Sequence, residues 1–377
     1  MPDTTLPSPY HATRPLRVVA LGGDGIGPEV TAQALRVLRH MQARHGLPMA
    51  ITEHPFGKAA WTASGSLLPP ATEAAIDGAD AILFGAIDSL DRGAIPQEER
   101  ARGSLHALRR RLGLFAGLRP LRTEPALAEV SPFKARVLQG VDLMMVRELS
   151  GGLYAGTPRG VEQLAFGQRR GVNTHVYTED QIVRVARFAF ALARGRRGRL
   201  TSVDKASVME SGALWREVVT ALQYDEFRDV ETDHMLADTF ALTLGRDPRR
   251  FDVILTDNLF GDLLSDAAGA LSGSLGMLPS ASVAPPAPDG RRRALFEPVH
   301  GAAPGISGQG VANPLGAILS VALLLRWSAR SEAAATEVEQ AVGAVLADGA
   351  RCIDIALPGE AMLGSAAMGD AVLAKLG

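Results

Sequence analysis

Short apolar runs alternate with amphipathic stretches along this chain, and that alternation restricts it to an α/β fold with a largely parallel or mixed sheet. Residues 16–21 read as a buried strand that runs into Gly22-Gly23-Asp24-Gly25-Ile26-Gly27-Pro28. Pro28 suits the first turn of a helix, expected to continue to about His45. Further strands are expected at 79–85, 136–149, 200–203 and 253–255, and helices at 178–194, 212–221, 261–271, 314–330 and 332–347. The Pro- and Ala-rich segment 280–293 reads as a loop or hairpin between core elements.

Bulk properties remove several function classes. A chain of 377 residues with 46% hydrophobic and 21% charged residues has the composition of a globular enzyme of one large or two smaller domains. The formal charge of -2 offers no basic field for nucleic acid or an anionic membrane. The best apolar run, Ala317 to Trp327, is too short to span a bilayer. A single cysteine, Cys352, fits a reducing compartment, so a cytoplasmic location is expected. Residues 1–15 have no apolar core and read as a flexible extension, not a signal peptide. The Gly22–Gly27 segment matches no GxGxxG register, so a tight turn before a helix is expected in place of a Rossmann phosphate loop.

Several side chains are candidates for chemistry. Of 39 basic residues only Lys58, Lys134, Lys205 and Lys375 are lysines. Lys205 follows a strand-like run and heads a helical pattern, and lysine, unlike arginine, can release its proton and act as a base. Asp262 and Asp266 lie four apart, on one face of a helix. Such a pair fits either a solvated acidic face or a divalent cation with oxygen preference, for which Asp238 is a possible third ligand. Arg109, Arg119 and Arg147 each follow apolar residues, where a guanidinium needs an anion: a structural carboxylate, or a substrate with more than one carboxylate. Tyr154, after Gly151-Gly152-Leu153, is either a proton donor or a core phenol. The Gly- and Pro-rich stretch from Phe296 to Pro314 would let backbone amides approach a phosphate or adenine.

Six segments, in order, carry a resemblance: GDGIGPEV, LRRRLGLFAGLRP, VRELSGGLYAG, VDKASVME, NLFGDLLSDAAG and FEPVHGAAPGISGQGVANP. Together they resemble the metal-dependent β-decarboxylating dehydrogenases, the isopropylmalate and isocitrate dehydrogenase family, from about Leu16 to Val321, with the isopropylmalate branch the nearer. The resemblance implies a two-domain, non-Rossmann fold with a mixed sheet: a cofactor domain of residues 16–114 plus 273–377, and a substrate, metal and dimerisation domain of residues 115–272. It implies an active site in the interdomain cleft completed by a second copy in a homodimer. Arg109, Arg119 and Arg147 would hold the carboxylates of a 2-hydroxy diacid. Asp262 and Asp266, with Asp238 from the second copy, would ligate Mg²⁺ or Mn²⁺. Tyr154 and the second copy's lysine at position 205 would be the acid–base pair. The loop containing Glu297, His300, Gly301, Ala303, Gly305, Ile306 and Asn313 would bind NAD. The implied reaction is oxidative decarboxylation of a 3-substituted malate, with tartrate, malate, isocitrate and homoisocitrate as alternative substrates and a non-catalytic relative as a further alternative.

The chain departs from the family pattern at its periphery. Gly305 stands where NAD-using members carry an aspartate and NADP-using members a lysine, so NADP stays open beside NAD; Ile306 fits the NAD type. Ser207 and Gly117 replace asparagines, and residues 86–92 differ from the usual loop. In the specificity region, Leu105 and Val208 are apolar. Arg102 and His106 point to a polar or anionic substituent on the malate core, so a pocket that is not purely an isopropyl pocket is expected.

Overall fold

The computed structural model describes residues 14–88 and 95–377. The expected extension at 1–15 therefore lies almost wholly outside the described residues, as does most of the atypical loop at 86–92. The chain forms two compact units, and both are discontinuous in sequence. One contains Phe115–Arg122 and Gly140–Ala268; the other holds the rest, including Thr123–Gln139. The expected boundary assigned 123–139 to the first of these. In the structure, the turn Pro125–Leu127 packs against the helix Glu332–Ala347, and Arg351 Nη2 donates to the Ala126 carbonyl at 2.8 Å.

Among the described residues the strands are β1 (Leu16–Gly23), β2 (Met49–Glu53), β3 (Ala81–Ala86), β4 (Ala116–Arg122), β5 (Asp142–Glu148), β6 (Gly160–Gln163), β7 (Arg169–Val172), β8 (Arg199–Asp204), β9 (Glu231–Leu236), β10 (Val253–Thr256), β11 (Pro279–Pro286) and β12 (Arg292–Pro298). In the unit that includes residues 14–114 and 269–377, the order is β2-β1-β3-β12-β11, parallel except for the β11–β12 hairpin. The Pro- and Ala-rich segment 280–293 is thus a hairpin. Helices Gly27–Arg44 and Leu315–Trp327 pack beside this sheet, the second with ten of its residues buried. In the other unit the order is β4-β5-β10-β8-β9, with β4 antiparallel and the rest parallel. Helices Glu179–Arg194 and Glu210–Glu226 cover it, burying Phe190 and Trp215. β6 and β7 form a separate hairpin whose residues are nearly all exposed.

The glycine-rich turn after β1 packs against the segment holding Ala302, whose carbonyl accepts from Ile26 N at 2.9 Å. Gly25 has a φ of 60°, and a Cβ there would meet the Ala302 carbonyl oxygen at 1.9 Å, so only glycine lets the two segments touch. The strand expected over 136–149 is split: Ala135–Leu138 is a helical turn, Gly140 takes a φ of 74°, and β5 begins at Asp142. No helix among the described residues is long and apolar enough to cross a membrane.

Candidate active site

The antiparallel register of β4 and β5 pairs Gly117 with Arg147 and Arg119 with Met145. Alternation along a strand then puts Arg119 and Arg147 diagonally opposite on one face. Arg147 is also level with Thr256 at the end of β10, from which the helix Asn258–Gly269 springs. Gly261 makes this helix fit: a Cβ would fall 2.7 Å from Arg147 Cγ and 2.3 Å from Thr256 Oγ1. Asp262 and Asp266, one turn apart, face the two arginines. Arg147 Nη1 pairs with Asp262 Oδ1, and Arg119 Nη1 pairs with Asp266 Oδ1 at 2.6 Å. Arg119 also reaches Ser265 Oγ, and its Nη2 lies 3.6 Å from Asp262. The Tyr154 hydroxyl donates to Asp262 Oδ2 at 3.1 Å, and the Arg147 guanidinium lies 5.7 Å from the Tyr154 ring centre. Burial first, then the Asp262 carboxylate, pushes the Tyr154 phenol above its usual range, so it is a protonated donor at neutral pH.

Lys205 and Asp238 form a second group. Parallel pairing of β8 with β9 ends at Asp204 opposite Leu236, so the residues that follow emerge side by side. Lys205 Nζ donates to Asp238 Oδ1 at 2.7 Å, and this bond holds the Asp238 carboxyl below its usual range. Among the described residues, no three His, Cys, Asp or Glu side chains of one chain converge on a metal site. Each chain therefore offers two hard-oxygen donors at 262 and 266, a set suited to Mg²⁺ or Mn²⁺ but short of a third carboxylate.

The remaining candidates belong to the other unit. Arg109, on the helix Leu105–Arg111, donates through Nη2 to Glu297 Oε1 at 2.8 Å, while its buried Nε has no partner. His300 Nδ1 is 2.9 Å from the Gly301 carbonyl, and its buried Nε2 is also without a partner. Burial pushes the His300 imidazole below its usual range, which keeps it neutral. Nothing lies within 4 Å of a Cβ built on Gly301 or Gly305, and Ala303 takes a φ of 40° ahead of the turn Pro304–Ile306. A loop with open glycine positions and an orphaned ring nitrogen fits a nucleotide. The Asn313 side chain has structural work instead: Oδ1 accepts from Leu315 N at 3.0 Å and Nδ2 donates to Asp354 at 3.2 Å.

Arg102, expected to face a polar substituent, pairs through Nη2 with Glu73 at 2.5 Å, and its Nη1 lies 3.4 Å from Glu99. Leu105 packs partly buried against the apolar cluster of Phe56, Leu108 and Leu112; His106 and Val208 are exposed. Sequence reasoning also missed a layer of polar residues behind the arginines. Asn258 Oδ1 accepts from Arg147 Nε at 3.0 Å, and Asn258 N donates to the Tyr177 hydroxyl. His175 bridges Ser211 at 2.8 Å and Asp257 at 2.9 Å. Nothing in the spacing of these residues marks them.

With this geometry in view, the sequence profile of the family described as isocitrate/isopropylmalate dehydrogenase matches residues 17–372. This chain belongs to that family. It is 52% identical to 3-isopropylmalate dehydrogenase 1 of Bradyrhizobium diazoefficiens over 361 residues, covering 96% of this chain and 95% of the relative. A 3-isopropylmalate dehydrogenase 1 of Bordetella bronchiseptica is also 52% identical, covering 96% and 97%. Among solved structures, isocitrate dehydrogenase from Methylococcus capsulatus matches with a TM-score of 0.81 and 30% identity, over 96% of this chain and 99% of that one. A β-decarboxylating dehydrogenase from Thermococcus kodakarensis matches with a TM-score of 0.73 and 31% identity over 96% of both chains. The family accounts for the non-Rossmann, mixed-sheet α/β fold, and the chain is a dehydrogenase of this family.

Proposed function

We propose that this chain is a cytoplasmic enzyme that oxidises and decarboxylates 3-isopropylmalate with NAD and Mg²⁺ or Mn²⁺, as a homodimer with shared active sites. The observation that carries the reading is full-length likeness of about half the residues to relatives named for that activity. The apolar side chains of Leu105 and Val208 in the expected specificity region support an aliphatic 3-substituent.

In this reading Arg109, Arg119 and Arg147 bind the carboxylates in forked, charge-assisted hydrogen bonds. Asp262 and Asp266, with Asp238 of a second copy, would hold the cation. Bound there, a divalent cation supplies Lewis-acid polarisation of the hydroxyl and, later, of the keto oxygen. NAD, when held by the 297–313 loop, supplies the hydride acceptor. Lys205 is the base for the hydroxyl proton. The arginines stay with the carboxylate that remains after CO₂ departs and offset the enolate charge. Tyr154, held by Asp262, delivers its proton to the enol carbon.

A screen of reduced-cofactor formation over 3-isopropylmalate, malate, tartrate, isocitrate and homoisocitrate, with Mn²⁺ and with NAD or NADP, tests this. The expected outcome is a kcat/KM for 3-isopropylmalate and NAD at least about a hundredfold above every other pairing. Equal or better turnover of another diacid would overturn the substrate assignment.

A further inference from the structure

We propose that Asn258 is the positioning residue for Arg147 and thereby sets how tightly this chain holds a dicarboxylate. The inference rests on the reading of Arg147 as a carboxylate-binding side chain and extends it to the group that aims it. Asn258 is buried, 2% exposed, and each of its polar hydrogen-bonding atoms save the main-chain carbonyl has an assigned partner. Its Oδ1 accepts from Arg147 Nε at 3.0 Å and from Nη2 at 2.8 Å. Its Nδ2 donates to the Gly151 carbonyl at 2.9 Å, and its backbone N donates to the Tyr177 hydroxyl at 2.8 Å. The amide cannot be reversed: a guanidinium only donates and a carbonyl only accepts, so the oxygen must face Arg147.

The choice of an amide matters for charge. A single neutral oxygen fixes two of the guanidinium's N–H groups without cancelling its positive charge, which stays available to an incoming carboxylate. An aspartate of the same shape would set a second full negative charge against Arg147, beside Asp262, and leave less of the guanidinium's positive charge for a ligand carboxylate. The amide is itself braced. The Tyr177 phenol, raised well above its usual range by burial and then by the Glu148 carboxylate, remains a hydroxyl that accepts from Asn258 N. Glu148 is fully buried and accepts from the backbone N–H groups of Ser150 at 2.9 Å and Gly151 at 2.7 Å. Both ends of the Arg147–Asn258–Tyr177–Glu148 chain therefore end on main chain or on β5.

The test is calorimetric binding of 3-isopropylmalate with Mg²⁺ in the absence of NAD, paired with steady-state kinetics. Asn258→Asp and Asn258→Ser are each expected to weaken binding and raise KM by roughly 10–100-fold, with kcat altered far less. The serine variant adds no charge, so it keeps the comparison sound where the aspartate unfolds the chain. In Arg147→Lys, adding the Asn258 change is expected to cost little more, since Asn258 acts through the guanidinium. Wild-type affinity in both Asn258 variants, or losses that simply add in the double variants, would overturn the proposal. Binding without cofactor reduction by the wild type would sink the proposed reaction alone; no binding of any dicarboxylate would sink both.

Discussion

Single residues decide two contacts that the rest of the fold leaves open. At position 305 the proposed cofactor loop carries no side chain, and a Cβ there would meet nothing within 4 Å. The backbone there needs no positive φ, so an aspartate can be accommodated without strain. Gly305→Asp is therefore expected to lower KM for NAD by roughly tenfold, the worth of one hydrogen bond to a charged group, while kcat with saturating NAD stays put. An unchanged KM would mean that the loop does not face the ribose. Arg102 illustrates the opposite case. Its residue type favours an anionic substrate group, but Glu73 and Glu99 sit close enough to absorb its charge, and partners brought from elsewhere in the chain leave no trace in local sequence. Asn258 escaped notice for the same reason.

At the scale of elements, periodicity gave away the buried strands β1, β3, β8 and β10 and the long helices, since each has one continuous apolar face or run. It did not reveal β4, which contains Pro120, or β9, whose Glu231-Thr232-Asp233-His234 is polar throughout. Both are held by their neighbours in the sheet, so tertiary pairing overrides weak propensity. The acid and arginine clusters were legible as types, yet their juxtaposition came only from strand register. Beneath the sheet ends, Arg196 ties β5 to the segment before β10: Nε donates to the fully buried Asp252 at 2.8 Å and Nη2 to Asp142 at 2.8 Å. Burial raises the Asp142 carboxyl, but Arg196 outweighs it and the net position is below the usual range. Arg196→Ala removes the bridge between Asp142 and Asp252, while the backbone N–H groups of Arg197 and Arg199 still donate to Asp252, so a loss of about 1–3 kcal/mol is expected, seen as a fall in Tm of roughly 2–4 °C. A Tm within a degree of wild type would show that water replaces the guanidinium.

For the whole molecule, each chain carries two sets: Arg119, Arg147, Tyr154, Asp262 and Asp266 in one place, Lys205 bonded to Asp238 in another. The proposed reaction needs both sets around one substrate, and the proposed homodimer provides that by pairing each set with its complement from a second copy. The most direct measurement is complementation between two inactive variants, Lys205→Met and Tyr154→Phe, co-expressed and assayed for NADH from 3-isopropylmalate. Shared sites predict that each variant alone is inactive and that the mixture recovers up to roughly a quarter of wild-type activity, from the one intact site of each mixed dimer. A mixture as inactive as its two components, with mixed dimers demonstrably present, would contradict it.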